Sequence, residues 1–254
     1  MSKILPTSAK IREQVVGYIA DSESIAEACL RAAGSSAAFH EIYEISLSTY
    51  TVLAGLAGGS LRPRLNPARS IAVRVPFLVG VGQSSVAETE LRRFVELVLW
   101  AVYFTDHPIE WKRFVDKTSG FSKDLRRPIS YAAHRELGFY MEYALELMEA
   151  EPSGLGVAAV ENVKQGVKKL NAAVHAGRLA LTTGKIPPHD DMKEAAMLGF
   201  SKIQRLVFAN CTLLLAAYRR SAFDQLNAVS RAYFDWLVGH KLRRDVRRGP
   251  FGLP

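Results

Sequence analysis

VAETELRRFVELVLWAVYFTDHPIEW, from Val86 to Trp111, is the stretch whose reading decides the fold. Its first half is amphipathic, with Glu88, Glu90, Arg92, Arg93 and Glu96 set in helical phase against Leu91, Phe94, Val95 and Val98. From Leu97 to Phe104 it is apolar on every side, which implies burial among other helices. This run is far too short to span a bilayer, which needs about 20 apolar residues. It stops at Asp106-His107-Pro108, because proline disfavours helical backbone in the residue before it. Such a helix belongs at the centre of a helical core.

The chain around it has 254 residues and 48% hydrophobic content, enough to bury a substantial core, and we expect a single domain. A formal charge of +8 and a pI near 9.5 favour contact with polyanions. The two cysteines, Cys29 and Cys211, lie far apart in apolar contexts with no partner at metal or redox spacing, so both are expected to be buried and reduced. The start, MSKILPTSAK, lacks the apolar run of a secretory signal, and a cytoplasmic chain without membrane spans is expected.

Residues 8–33 carry Ile11, Val15, Tyr18 and Ile19 at helical spacing, ending at Gly34, with Asp21-Ser22 as a candidate kink. A second helix starts at Ser35 or Ser36 and ends before Gly58-Gly59, making residues 1–59 a helical hairpin. Residues 60–85 hold Pro63, Pro67 and Pro76 with Arg62, Arg64, Arg69 and Arg74, and read as a long basic loop. The loop's centre, IAVRVPF, reads as a short extended or edge segment. Its four guanidiniums, with no acid between them, suit phosphate contacts.

The main bundle is expected over 86–240, with a polar loop at 117–127. Ser130 can cap a helix running to Glu149, with Ala133, Leu137, Met141, Ala144 and Met148 as its inner stripe. A helix over 155–181 places Val160, Val163, Val167, Leu170 and Val174 on a heptad-type seam. Beside that seam runs a polar stripe of Lys164, Lys168, Asn171, His175 and Arg178. After Pro187-Pro188, Asp190 or Asp191 can cap a helix reaching Arg219. Ser221 with Asp224 reads as a capping box opening a last helix with Phe223, Leu226, Val229, Tyr233 and Leu237 as its seam. A basic tail follows at 241–254, with Lys241, Arg243, Arg244, Arg247 and Arg248 as a candidate phosphate-binding arm. The whole reads as an all-α bundle of about six or seven helices.

No Walker loop, dinucleotide fingerprint, HExxH or GxSxG motif is present, and the six histidines are scattered without zinc spacing. No metal or cofactor is therefore expected. On the 155–181 helix, Asn171 and His175 are four residues apart and share a face. An imidazole beside cations can act as a general acid or base, or hold phosphate when charged. Elsewhere, Arg93 and Glu96 are three apart and can pair, His107 can cap the helix end or donate to Asp106, and His40 and His134 read as solvent-facing. The tyrosines Tyr131, Tyr140 and Tyr143 read as a core rim.

The run KKLNAAVHAG, Lys168 to Gly177, resembles the motif helix of the HEPN superfamily, all-α proteins common in toxin–antitoxin, abortive-infection and CRISPR-associated defence. Many of these are ribonucleases with an arginine and a polar residue upstream of a histidine. Asn171 and His175 match the polar residue and the histidine; Leu170 stands where the arginine belongs, and the nearest cations are Lys168 and Lys169. Lysine holds phosphate as a point charge and lacks the planar fork of arginine. The pair Arg127 and His134 fits the loosest spacing but has Pro128 between them. A second similarity, over roughly 86–180, is to bacterial helical families related to HEPN and abortive-infection proteins. Arg93, Glu96, Asp106, His107, Asn171 and His175 fall on their pattern.

The resemblance implies an RNA-binding defence or toxin-type protein, and a homodimer formed through an apolar seam is expected. Were it catalytic, His175 would be the acid–base of a metal-independent endoribonuclease, with Asn171 and Lys168 or Arg178 on the phosphate. A non-catalytic scaffold or adaptor subunit of a defence or nucleoprotein complex is the first alternative. A small-molecule enzyme using Arg93, Glu96 and His107 in the bundle core is the second.

Overall fold

In the computed structural model the described residues are 16, 20, 23, 24, 26–115, 137–150, 154–182 and 194–239, with side chains described except at 113–115 and 172–182. All regular structure among them is helical. The fold is an all-α bundle. Helical residues 26–34 lead through the turn at Ser35 into α1 (Ala37–Leu56), whose N-cap is Ser36. The Ser36 hydroxyl accepts from the Phe39 amide at 3.0 Å and donates to Glu194 Oε2 at 2.6 Å. The Ala38 amide donates to Glu194 Oε1 at 2.9 Å, so the acid that opens a distant helix caps this one. These donors hold the Glu194 carboxyl below the usual carboxylate range, the Ser36 hydroxyl contributing most.

Residues 60–85 do not form a loop. After a 3-10 turn at Gly59–Leu61, helix α2 runs from Arg62 to Gly80. Pro63 sits in the first turn, where a missing N–H costs nothing, but Pro67 and Pro76 lie inside the helix and each removes an internal hydrogen bond. The helix survives because Leu65, Ala68, Ala72, Val75 and Val79 recur at three and four and are all 0% exposed. That stripe packs between α1 and α3 (Ser84–Asp106). The prolines obscured a helical period that tertiary burial enforces.

Helix α3 carries the stretch that decided the fold. Phe94, Val95, Val98, Leu99, Ala101, Val102 and Phe104 are buried, and the helix ends at Asp106 as the proline demands. The chain restarts at Pro108 in α4 (Pro108–Val115). Helix α5 (Leu137–Glu149) buries Tyr140, Met141, Ala144 and Met148, and α6 (Leu155–Thr182) buries Val160, Val163, Val167 and Leu170 along its heptad seam. Helix α7 (Glu194–Tyr218) is the most enclosed: every residue from Val207 to Ala217 is buried. It packs against α6, α1 and α3, so α3 shares the centre with it. Phe94 of α3 and Phe208 of α7 meet at 4.4 Å between ring centroids. Gly166 permits the close approach of α6, since a Cβ there would lie 3.0 Å from Val207 Cγ2.

The C-terminal boundaries differ from expectation. Ser221 and Asp224 lie inside a short helix, α8 (Arg220–Asp224), and do not cap the last one. Helix α9 (Ala228–Val238) is capped by Asn227, whose Oδ1 accepts from the Ser230 amide at 2.8 Å. Its buried stripe is Ser230, Phe234 and Leu237, while Val229 is 61% exposed. The helix is capped six residues after Ser221, and with Ser230, Phe234 and Leu237 turned to the core, Val229 faces outward. One hydrophobic cluster draws on all the major helices, and both cysteines lie buried and unbridged. No helix among the described residues is long and apolar enough to cross a membrane. Ser130, Tyr131, Ala133, His134, Arg127, Pro128, Asp190, Asp191, Asp21-Ser22, the 117–127 segment and the 241–254 tail lie outside the described residues.

Candidate functional site

Helices α3, α5 and α6 enclose a cleft of about 360 Å³. Its floor is apolar, from Leu137, Met141 and Val167, and its walls carry Arg92, Lys164, Lys168 and Asn171 together with Glu96 and Glu142. A concave apolar floor with a few convergent polar groups is the form of a ligand site. The polar stripe read along α6 thus faces a cavity over its first three members.

Arg92 organises the cleft. Its Nη1 donates to Asn171 Oδ1 at 2.7 Å, and its Nε lies 3.4 Å from Glu96 Oε1. The expected pairing of Arg93 with Glu96 is therefore replaced by Arg92 with Glu96. The i,i+4 spacing puts Arg92 on the same face as Glu96, whereas Arg93 turns to solvent. Arg92 lines the candidate site although the sequence alone did not single it out. The signal for it was that spacing, and its contact with Asn171 across 79 positions had none. Arg92 Nη2 has no partner among the described residues. Lys164 pairs with Glu161 at 2.7 Å on the same helix, and Lys168 is exposed at the mouth. His175 and Arg178 follow on α6, but their side chains, like that of Val174, lie outside those described.

Asp106 and His107 belong to a different place. They sit ten and eleven residues beyond Glu96, about 15 Å along α3, so Arg93, Glu96 and His107 do not converge on one cavity. Asp106 accepts from the hydroxyls of Tyr143 and Tyr218, both at 2.7 Å. His107 Nδ1–H donates to the Tyr103 carbonyl at 2.9 Å, capping the helix, and its ring stacks on Tyr103 at 4.1 Å. Tyr103 in turn donates to Glu110 Oε2 at 2.9 Å. Burial first, and then these carboxylates, push the phenols of Tyr103, Tyr143 and Tyr218 well above their usual range. Tyr140 is pushed up to about 12 by burial and by the charge of Glu110. This is the tyrosine core rim, pinned by two acids.

Three of the four α2 arginines point to separate partners. Arg64 is only 7% exposed, donates from Nη1 to Thr105 Oγ1 at 3.1 Å and lies over the Trp111 ring. Burial lowers its pKa, and its Nε has no partner among the described residues. Arg69 bonds Asn66 and covers Tyr50, Arg74 pairs with Glu90 at 2.8 Å, and Arg62 is exposed. Helical geometry leaves Arg62 and Arg69, seven apart, on one side of the axis and turns Arg64 and Arg74 to other sides, dispersing what a loop would have gathered. His40 is exposed, as expected. Lys241, Arg243, Arg244, Arg247 and Arg248 lie outside the described residues, and no cluster of three metal-ligating side chains occurs among those described.

No family model matches the chain, and no curated protein or solved structure is significantly similar to it.

Proposed function

We propose that the chain is an RNA-binding protein that takes one nucleotide into the α3–α5–α6 cleft, in keeping with the HEPN-like character of its α6 motif. The observation that carries the reading is the Arg92–Asn171 hydrogen bond. It brings an arginine from α3 to the polar residue of the motif, beside which the local sequence offers only the buried Leu170. Guanidinium supplies the planar, bidentate phosphate geometry that the neighbouring lysines lack. With Arg92 and Lys168 on the phosphate, a base stacks on the floor of Leu137, Met141 and Val167. The neighbouring histidine, His175, is the candidate general acid–base of a metal-independent transesterification.

Glu96 and Glu142 in the same cleft favour a second reading, a small ligand bearing both charges, since a volume near 360 Å³ also suits a small molecule. The experiment that separates them is binding and cleavage of an end-labelled mixed RNA pool in EDTA, over a range of salt, with wild type, Arg92→Ala and His175→Ala. Binding lost in Arg92→Ala and steeply weakened by salt supports the RNA reading. Cleavage lost in His175→Ala with binding kept supports the catalytic role. Absence of RNA binding by the wild type overturns both and leaves the small-ligand reading.

A further inference from the structure

Helices α1 and α9 lie side by side and run in opposite directions. Near the start of α1, Arg205 of α7 bridges them: it pairs with Glu41 at 3.2 Å, and its guanidinium lies 4.3 Å from the ring centre of Trp236, near the end of α9. At the far end of α1, a Cβ on Gly55 would collide with Leu226 Cδ2 and lie 3.5 Å from Ser230 Oγ, so the start of α9 abuts there. Between the two helices runs an open groove of about 890 Å³, a volume in the range of small-molecule sites. The antiparallel register sorts its lining. Tyr43 and Glu44 of α1 lie at one end with Tyr233 and Trp236 of α9, and Leu47 lies at the other with Ala228 and Val229. From His40 to Ser48 the lining follows α1 for about 12 Å.

We propose that this groove binds an amphiphilic organic cation, an ammonium carrying an apolar body. Charge selects the ligand. The chain carries +8, yet among the described residues the groove lining holds no lysine or arginine. Its one carboxylate, Glu44, is exposed and has no partner among those residues. Arg205, at the edge, is already engaged by Glu41 and Trp236. A carboxylate beside three aromatic side chains attracts an ammonium twice over, by Coulomb attraction and through the negative faces of the rings. Trp236 already holds one cation in this way, the Arg205 guanidinium. At the aliphatic end, Leu47 and Val229 are 37% and 61% exposed, and an apolar body lying on them takes that surface out of water. The groove shares no lining residue with the α3–α5–α6 cleft, and its charge is opposite to what a phosphate requires.

The test is isothermal titration calorimetry of the full chain with octyltrimethylammonium, using wild type, Glu44→Gln and Tyr43→Leu. Octyl sulfate, with the same chain and the opposite charge, is the competitor. Both substituted positions are exposed, and unchanged melting by circular dichroism verifies folding. The expected result is saturable binding of the ammonium with a Kd between about 10 µM and 1 mM, the strength a ligand of this size reaches in an open groove. Octyl sulfate should need at least about tenfold higher concentration to displace it, although the net charge of the chain favours the anion. Glu44→Gln should weaken ammonium binding about threefold, as loss of an exposed ion pair does. Tyr43→Leu keeps apolar bulk and removes a ring face, and should weaken it by about the same factor. Absence of saturable ammonium binding overturns the proposal. So does equal displacement by octyl sulfate, the mark of a groove that reads apolar surface alone, or an affinity that neither substitution changes, which would place the ammonium elsewhere.

Discussion

Arg92 of α3 and Asn171 of α6 are joined by a 2.7 Å hydrogen bond from Nη1 to Oδ1, which ties the central helix to the helix bearing the motif. Because the arginine side chain is 35% exposed, its ionic contact with Glu96 is screened and contributes little. Arg92→Ala is therefore expected to lower stability by about 1 kcal/mol, from the hydrogen bond. Arg92→Lys should restore little of it, since the ammonium does not make the two-sided contact. Urea denaturation of the three proteins measures this.

On the proposed reading, Lys168→Ala removes one phosphate partner, and Lys164→Ala, whose lysine is paired with Glu161, serves as its control. Lys168→Ala should reduce the slope of log affinity against log salt by about 1, without changing sequence preference. Fluorescence anisotropy with a labelled oligoribonucleotide at several salt concentrations reports the slope. An unchanged slope in Lys168→Ala would place the phosphate elsewhere.

Phe94 and Phe208 pack at 4.4 Å where the two most enclosed helices cross, and both are fully buried. Phe94→Ala leaves a cavity that rigid neighbours on two helices cannot fill. We expect a loss of about 3–5 kcal/mol, seen as a lower denaturation midpoint at unchanged slope.

The tyrosines facing Asp106 set an alkaline limit. Tyr143 and Tyr218 have folded pKa values raised above the unfolded value near 10, chiefly by burial. Above pH 10 the unfolded chain gives up these protons while the folded one retains them. Stability contributed by the neutral phenols is thus fully present below pH 10 and falls as pH rises past it, by about 1.4 kcal/mol per pH unit for each group. Tyr218→Phe should make the decline between about pH 10 and 12 shallower, as measured by thermal melts across that window.

Arg64 is a buried cation whose nearest polar partner is the Thr105 hydroxyl, itself already donating to the Ala101 carbonyl at 2.6 Å. Replacing the arginine with an apolar chain of similar length removes a desolvated charge and strands no partner. Arg64→Met is expected to keep stability or raise it by about 1 kcal/mol. A large loss would show that stacking on Trp111 outweighs desolvation; paired denaturation curves decide.

The all-α class, the end of α3 before Pro108, the Ser36 cap and the heptad seam of α6 were legible because each depends on residues within a turn or two of one another. Legibility failed where a distant contact outvoted a local signal. Prolines 67 and 76 argued for a loop, yet burial of Leu65, Val75 and Val79 between two neighbouring helices holds α2 together. Ser221 offered a capping box, but α8 ends first and Asn227 takes the role.

By itself, the amino-acid order determined periodicity, charge and where helices stop, since steric limits on φ and ψ and the placement of side chains every 3.6 residues act locally. Only the tertiary structure decided which of two adjacent arginines meets Asn171, that Asp106 is held by tyrosines 37 and 112 positions away, and that Tyr43 and Leu47 of α1 are exposed. Those outcomes depend on how the helices are rotated and spaced against one another, and that is settled by the packing of the whole core.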